Sequence, residues 1–269
     1  MSGVRRIDLG LPTLLEFRGP DAVRFLNGQL TQDVRLLVGG QISLPSCVTD
    51  AKGKLQFRVT VTEVGGALWI AGEPGDAEAL EARLTRYLIA DDVEVTDLTG
   101  QYALYHFTGE ITGTITRGAN RYGLPGTDLW CPNGEDPPSA TLLAGEELEA
   151  LRIANGIPAW GRELIPGMLP PEALLEETDI SYYKGCYIGQ EVISRIKSAG
   201  KVNRRLTKFL FDAAAPVAAG RLANGAGEIT SVSPVAVGGL RPALGYVKRG
   251  ATEFNYLAAD GSLIPARLC

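Results

Sequence analysis

The most constraining stretch in this chain is a turn followed by a strict alternation. Asp50-Ala51-Lys52-Gly53 has the composition of a tight turn, and Leu55, Phe57, Val59 and Val61 then alternate with Gln56, Arg58, Thr60 and Thr62. A period of two places every second side chain on the same face, so this run is a half-buried strand paired back on the strand predicted over 42–48. A chain committed to such a hairpin must build an antiparallel sheet with one apolar face, and something must cover that face.

The neighbouring segments supply the cover. Gly19-Pro20-Asp21 opens a helix carrying Val23, Leu26 and Leu30 on one side, and Pro74-Gly75-Asp76 opens a second with Leu80, Leu84, Tyr87 and Leu88. Strands are predicted at 67–71, 93–95 and 102–107. Helices interleaved with antiparallel strands make the fold class α+β. The segment 109–140, rich in Gly, Thr, Pro and Asn, reads as short strands and a surface connection. A helix from Gly145 through Ile153 should stop at Asn155-Gly156, and the Gly- and Pro-rich arm after it is a shaped loop. Beyond Arg205, short alternating runs at 206–211, 227–232, 244–248 and 263–268 predict a small C-terminal β-barrel.

With 269 residues there is room for more than one unit, and the boundary is placed near 203. Composition matters mainly for what it excludes. No window approaches the ~18 consecutive apolar residues of a membrane span, and the polar start at Met1-Ser2 leads into no secretory segment. These features place the protein in the cytosol. One histidine, His106, rules out a triad or a multi-histidine metal site. The cysteines at 47, 131, 186 and 269 show no zinc or ferredoxin spacing, so no resident metal is expected. Charge is uneven: residues 181–208 hold seven basic side chains against Glu191 alone, about +6 within a chain of net −5. A local basic stretch on an acidic protein suggests an anion site and argues against general affinity for nucleic acid.

Within that stretch lies Lys184-Gly185-Cys186-Tyr187-Ile188-Gly189-Gln190-Glu191. Paired glycines around a thiol, followed by a periodic run, predict a tight loop that delivers Cys186 to the start of a helix. A helix N-terminus and neighbouring Lys184 would both favour thiolate, the nucleophilic form, while Glu191 would oppose it. Cys186 and Lys184 are therefore the catalytic candidates. A single cysteine is more often a small packed hydrophobe, and that remains the reading for Cys47, Cys131 and Cys269.

The octapeptide, with Arg152-x3-Gly156-x-Pro158-x2-Gly161-x-Glu163, Pro170-Pro171-Glu172 and Gly19-x-Asp21-Ala22-x2-Phe25-Leu26-x-Gly28-x-Leu30-x2-Asp33, resembles the YgfZ-type folate-binding proteins of iron–sulfur assembly. These are cysteine-bearing relatives of the glycine-cleavage T protein, an aminomethyltransferase. The resemblance spans 19 to about 211. It implies interleaved antiparallel-sheet domains of the T-protein type over 1–202, with the second subdomain roughly 40–110 and the barrel over 203–269. It also implies tetrahydrofolate as cofactor and iron–sulfur client proteins, including a tRNA-thiolating enzyme, as partners. The chain is expected to act as a monomer, without direct contact to nucleic acid or membrane. Arg152, Glu163, Tyr187, Gln190, Arg195, Lys197 and Arg204 are the cofactor-binding candidates, with Arg195, Lys197 and Arg204 for the folate carboxylates. Tyr183 and Tyr187 offer flat faces for a pterin or simply pack, the commoner fate of a tyrosine. A folate-dependent one-carbon transferase or demethylase stays open as the alternative, although the comparable stretch here, Trp69-Ile70-Ala71-Gly72-Glu73, shows no counterpart of the aspartate that such enzymes place near the reacting folate nitrogen.

Overall fold

The computed structural model describes residues 3–200 and 202–269, so Met1, Ser2 and Lys201 of the basic stretch lie outside it. The chain divides into two compact units, residues 1–143 with 175–194, and residues 144–174 with 195–269.

The first unit contains strands β1 (Arg5–Gly10), β2 (Thr13–Arg18), β3 (Ser43–Thr49), β4 (Leu55–Val64), β5 (Ala67–Gly72), β6 (Glu94–Asp97), β7 (Tyr102–Phe107), β8 (Ile115–Arg121), β9 (Leu124–Pro132) and β10 (Thr141–Leu142), with helices α1 (Ala22–Gln29) and α2 (Ala77–Thr85). Two five-stranded sheets result, ordered β3-β4-β5-β2-β6 and β10-β1-β7-β9-β8. Every pairing is antiparallel except β1 with β10.

Strand periodicity explains how the layers stack. Leu15, Phe17, Val59, Val61, Leu68 and Ile70 point one way and bury against Phe25 and Leu26 of α1 and Leu80 and Leu84 of α2. Their sequence neighbours Leu14, Trp69 and Ala71 point the other way and pack on Leu104 and Trp130 of the second sheet. The hairpin β3–β4 closes as its turn composition predicts: Asp50 Oδ1 accepts from the amides of Lys52 (2.8 Å) and Lys54 (2.9 Å).

Several sequence expectations change. The polar face of β4 is not a solvated face, because its side chains are paired: Arg58 with Asp179, Gln56 with Arg83, Thr60 with Arg121 and Thr62 with Ser43. Helix α2 ends at Thr85 in a turn, leaving Tyr87 half exposed, while Leu88 still packs on the core. Residues 115–132, within the segment read as short strands and a surface connection, form one long hairpin. Its two-residue turn has Tyr122 (φ 55°) and Gly123 (φ 76°) both left-handed, the type I′ geometry that suits hairpin twist but carries no Asn-Gly signature. His106 is fully buried, with Nδ1 2.9 Å from Asp128 Oδ1 and Nε2 3.1 Å from the Leu124 carbonyl.

The second unit holds α3 (Gly145–Ala154), stopped by Gly156 at φ 75°, and strands β11 (Arg204–Asp212), β12 (Gly220–Arg221), β13 (Gly227–Val232), β14 (Leu240–Lys248), β15 (Asn255–Leu257), β16 (Leu263–Pro265) and β17 (Arg267–Leu268). Helix α4 (Gln190–Ala199) precedes β11. The predicted strands form, but they pair as an open sheet, β12-β13-β14-β11-β17, beside a separate β15–β16 hairpin. Among the described residues no ladder joins the edge strands β12 and β17, so backbone pairing does not close a barrel. Phe209, Phe211, Leu222, Ile229 and Tyr256 form this unit's core. No described helix is long and apolar enough to cross a membrane.

Candidate functional site

The segment leading into α4 is fixed at both ends. Upstream, the Ser181 amide donates to the Thr31 carbonyl (3.0 Å). Lys184 is buried, and its ammonium donates to the carbonyls of Asn27 (2.6 Å), Leu30 (2.7 Å) and Gln32 (2.7 Å) at the C-terminal end of α1, where helix carbonyls lack partners. Downstream, the Ile188 amide donates to the Gly28 carbonyl (3.2 Å), and Thr49 Oγ1 donates to the Ile188 carbonyl (2.6 Å). Gly189 then takes φ 88°, and a Cβ there would lie 2.6 Å from the Asp50 carbonyl oxygen. Only glycine fits the left-handed backbone and that close approach.

Between these anchors the side chains alternate. Cys186 is exposed; Tyr187 turns inward, packs with Ile180 and Ile193, and sits 5.2 Å from the Lys184 ammonium, measured to its ring centroid. The Tyr187 hydroxyl is buried and has no hydrogen-bond partner among the described residues. Burial raises this phenol well above its ordinary range, and it pushes the neighbouring Tyr182 up to about 12. Tyr183 is almost fully exposed.

This geometry revises the expected role of Lys184. All three ammonium protons are engaged by carbonyls, so the lysine is the latch of the loop and not the counter-ion of the sulfur. Burial draws its pKa down to about 7, with Asp33 acting in the opposite sense. Asp33 itself is held low by its paired bonds to Arg35, at 2.8 and 2.7 Å. Nor is Cys186 at a helix start: α4 begins four residues later, at Gln190, whose amide bonds to the Tyr187 carbonyl.

The second unit uses several other candidates as scaffold. Arg152 donates to Glu149 at 2.9 and 2.8 Å, to Glu163 Oε2 at 3.0 Å, to the Ile157 carbonyl at 2.7 Å and to Ser231 Oγ at 2.9 Å. Glu163 also accepts from the Ala159 amide, Thr230 and Ser231. Burial would raise this carboxyl, yet the two hydroxyls, the amide and the Arg152 guanidinium hold it below its ordinary value. A pair so fully engaged is the polar centre of its unit. Arg204 is likewise occupied, bonded to Glu172 and Glu228 and stacked 4.3 Å over Tyr246. Gln190 is half-buried on α4, whereas Arg195 and Lys197 are exposed along it.

The other thiols have separate surroundings. Cys47 is fully buried, and desolvation with nearby Asp179 raises its pKa well above the ordinary range. Cys131 is raised by burial too, and Cys269 is exposed. Sequence reasoning missed Asp179, a fully buried carboxylate that accepts Arg58 at 2.7 and 3.1 Å. The available signal was the arginine in the middle of an otherwise hydroxyl-rich strand face.

No family model matches the chain. Among curated proteins it is 26% identical to a mitochondrial iron–sulfur cluster assembly factor IBA57 homolog of Cryptococcus neoformans, over 77% of this chain and 66% of the relative. It is 27% identical to the tRNA-modifying protein YgfZ of Sodalis glossinidius, over 77% of this chain and 71% of that protein. The crystal structure of the glycine cleavage system aminomethyltransferase T from Bartonella henselae superposes with a TM-score of 0.81, covering 99% of this chain and 85% of that one at 18% identity. The chain belongs to the YgfZ/IBA57 family, related to the glycine-cleavage T protein. At that identity the superposition establishes the T-protein fold alone, and the chain spans about two thirds of the length of these curated relatives. In this YgfZ/IBA57 chain the octapeptide forms the latched Cys186 loop. Its Lys184 and Gly189 fix the backbone, and its Gly185-Cys186 pair faces solvent.

Proposed function

We propose that the protein is a tetrahydrofolate-dependent accessory factor for the assembly or maintenance of iron–sulfur enzymes, tRNA-modifying ones included, with Cys186 as its reactive group. The observation that carries this reading is the presentation of that thiol: exposed, on a loop pinned from both sides, in a chain of the YgfZ/IBA57 family. Pinning fixes where the sulfur stands without covering it, which a residue that must meet the cluster-bearing surface of a client protein requires. The relatives are named for iron–sulfur assembly and for tRNA modification, and those names are the basis for the client class.

Folate fits part of the chain's donor set. The buried Tyr187 hydroxyl without a partner suits the polar edge of a pterin, and Gln190, Arg195 and Lys197 are the side chains we assign to its amide and carboxylates. Arg152, Glu163 and Arg204 instead hold the scaffold. When bound, tetrahydrofolate supplies a one-carbon-accepting amine; the chain's residues orient it. We place the protein in the reducing cytosol as a monomer, where the exposed Cys186 and Cys269 would stay as free thiols.

Complementation tests the thiol. A null strain expressing Cys186→Ala should fail to recover cluster-enzyme activity while the variant accumulates normally; recovery equal to wild type sinks the reading. Folate is tested separately by titrating tetrahydrofolate against tryptophan fluorescence. Saturable quenching that weakens with salt supports the cationic contacts of α4, and no quenching removes folate from the proposal.

A further inference from the structure

The second unit carries a cleft of about 800 Å³ along the end of its sheet, walled by the small side chains of 213–219 and floored by Thr230, Ser231 and Ser233. Two arginines line it, and they differ. Arg162 donates to Glu149 Oε1 at 2.6 Å. With Arg152 and Glu163, this makes a neutral set of two cations and two carboxylates. Arg241 has no carboxylate partner among the described residues. Its guanidinium is oriented by backbone alone: Nη1 donates to the carbonyls of Ser233 (2.9 Å) and Pro234 (3.0 Å), and Nη2 to that of Ala213 (3.3 Å).

A guanidinium has five N–H donors. Three are engaged here, which leaves Nε–H and one Nη2–H. The hydroxyls of the cleft already donate elsewhere, and the nearby Asp212 lies outside its lining. The hydroxyls of Thr230 and Ser231 donate to Glu163, and Ser233 Oγ donates to the Val235 carbonyl at 2.8 Å. Asp212, across the ladder from Leu240, turns Oδ1 to the Ala214 amide at 2.9 Å. The cleft therefore combines small apolar walls, hydroxyls that already donate within the chain, and one pre-oriented guanidinium with no ion-pair partner among the described residues.

We propose that this cleft binds a ligand bearing a single carboxylate on a small, mainly apolar body, with Arg241 as its anchor. One uncompensated positive charge matches a monoanion, whereas a phosphate dianion would leave about one negative charge unpaired against the wall. The backbone carbonyls hold the guanidinium in place before the ligand arrives, so little side-chain entropy is lost on binding. This site is independent of the Cys186 loop and of folate.

The test is an NMR titration of the full chain, following the arginine Nε–H signals and assigning Arg241 by its disappearance in Arg241→Gln. The probes are N-acetylalanine, its neutral methylamide, and inorganic phosphate. N-Acetylalanine should shift the Arg241 signal saturably below about 50 mM, and phosphate should bind more weakly. The methylamide should bind about tenfold more weakly or not at all. Ala214→Trp, which fills the exposed side of the cleft without removing the guanidinium, should abolish the shift while leaving the Arg241 signal in place. The proposal is overturned if no saturable shift appears, if the methylamide matches the acid, if phosphate binds more tightly, or if Ala214→Trp leaves binding unchanged.

Discussion

Raising the pH should tighten the Cys186 loop, and Lys184 is the reason. In the closed loop the lysine sits near 7, drawn down by burial; released into solvent it returns to its ordinary 10.5. Between those values the open loop binds a proton that the closed loop does not, so closure gains as pH rises through the window and loses that gain as pH falls toward 7. From pH 7 to pH 9 this linkage amounts to about 2 kcal/mol, a fall of some tens of fold in the opening constant. Amide hydrogen exchange of the 181–189 segment, corrected for the intrinsic base-catalysed rate, reads this directly. Wild type should gain protection over those two pH units, whereas Lys184→Met, which has no proton to exchange there, should show a flat profile. Equal profiles in both proteins would refute the assignment. A flat wild-type profile would mean that the three carbonyls of Asn27, Leu30 and Gln32 hold the ammonium charged despite its burial, and the reasoning from desolvation would fail.

Three other perturbations follow from close contacts. Gly189→Ala forces a Cβ to within 2.6 Å of the Asp50 oxygen at φ 88°, and it should cost about 2–4 kcal/mol, seen as a lowered Tm with loss of loop protection. Glu163→Gln leaves Arg152 with Glu149 alone and should cost about 2–4 kcal/mol in urea unfolding; a change under about 0.5 kcal/mol would show that the buried pair is not coupled to folding. Asp179→Asn removes the charge opposite Arg58 while keeping the shape, so it should destabilise the first unit by about 3 kcal/mol, measured by thermal unfolding.

How far the sequence could be read depended on whether a contact is local. The β4 alternation and the helix starts before α1 and α2 were legible because side-chain period and the Gly/Pro/Asp turn ahead of a helix act over a few residues. The β8–β9 hairpin was not. Its turn, Tyr122-Gly123, carries a weak signal, and it depends on Gly126, where a Cβ would lie 1.9 Å from the Phe107 carbonyl oxygen of a strand elsewhere in the chain. The open C-terminal sheet has the same explanation, since strands were visible but the edge pairing was not.

At the site the division is sharper. The spacing of Lys184, Gly185, Cys186 and Gly189 was enough to single out the loop and its exposed thiol, because glycine's backbone freedom is a property of the residue itself. What Lys184 does was decided only when the fold brought the carbonyl end of α1, more than 150 residues away in sequence, to meet its ammonium. In the same way, Arg152 and Glu163 form a recognisable motif, but the hydroxyls of β13 turn that motif into an internal pair. Sequence alone determined which residues carry charge, thiol and turn. Tertiary structure decided which charges are already paired, because burial and hydrogen bonding depend on neighbours that chain order does not place side by side.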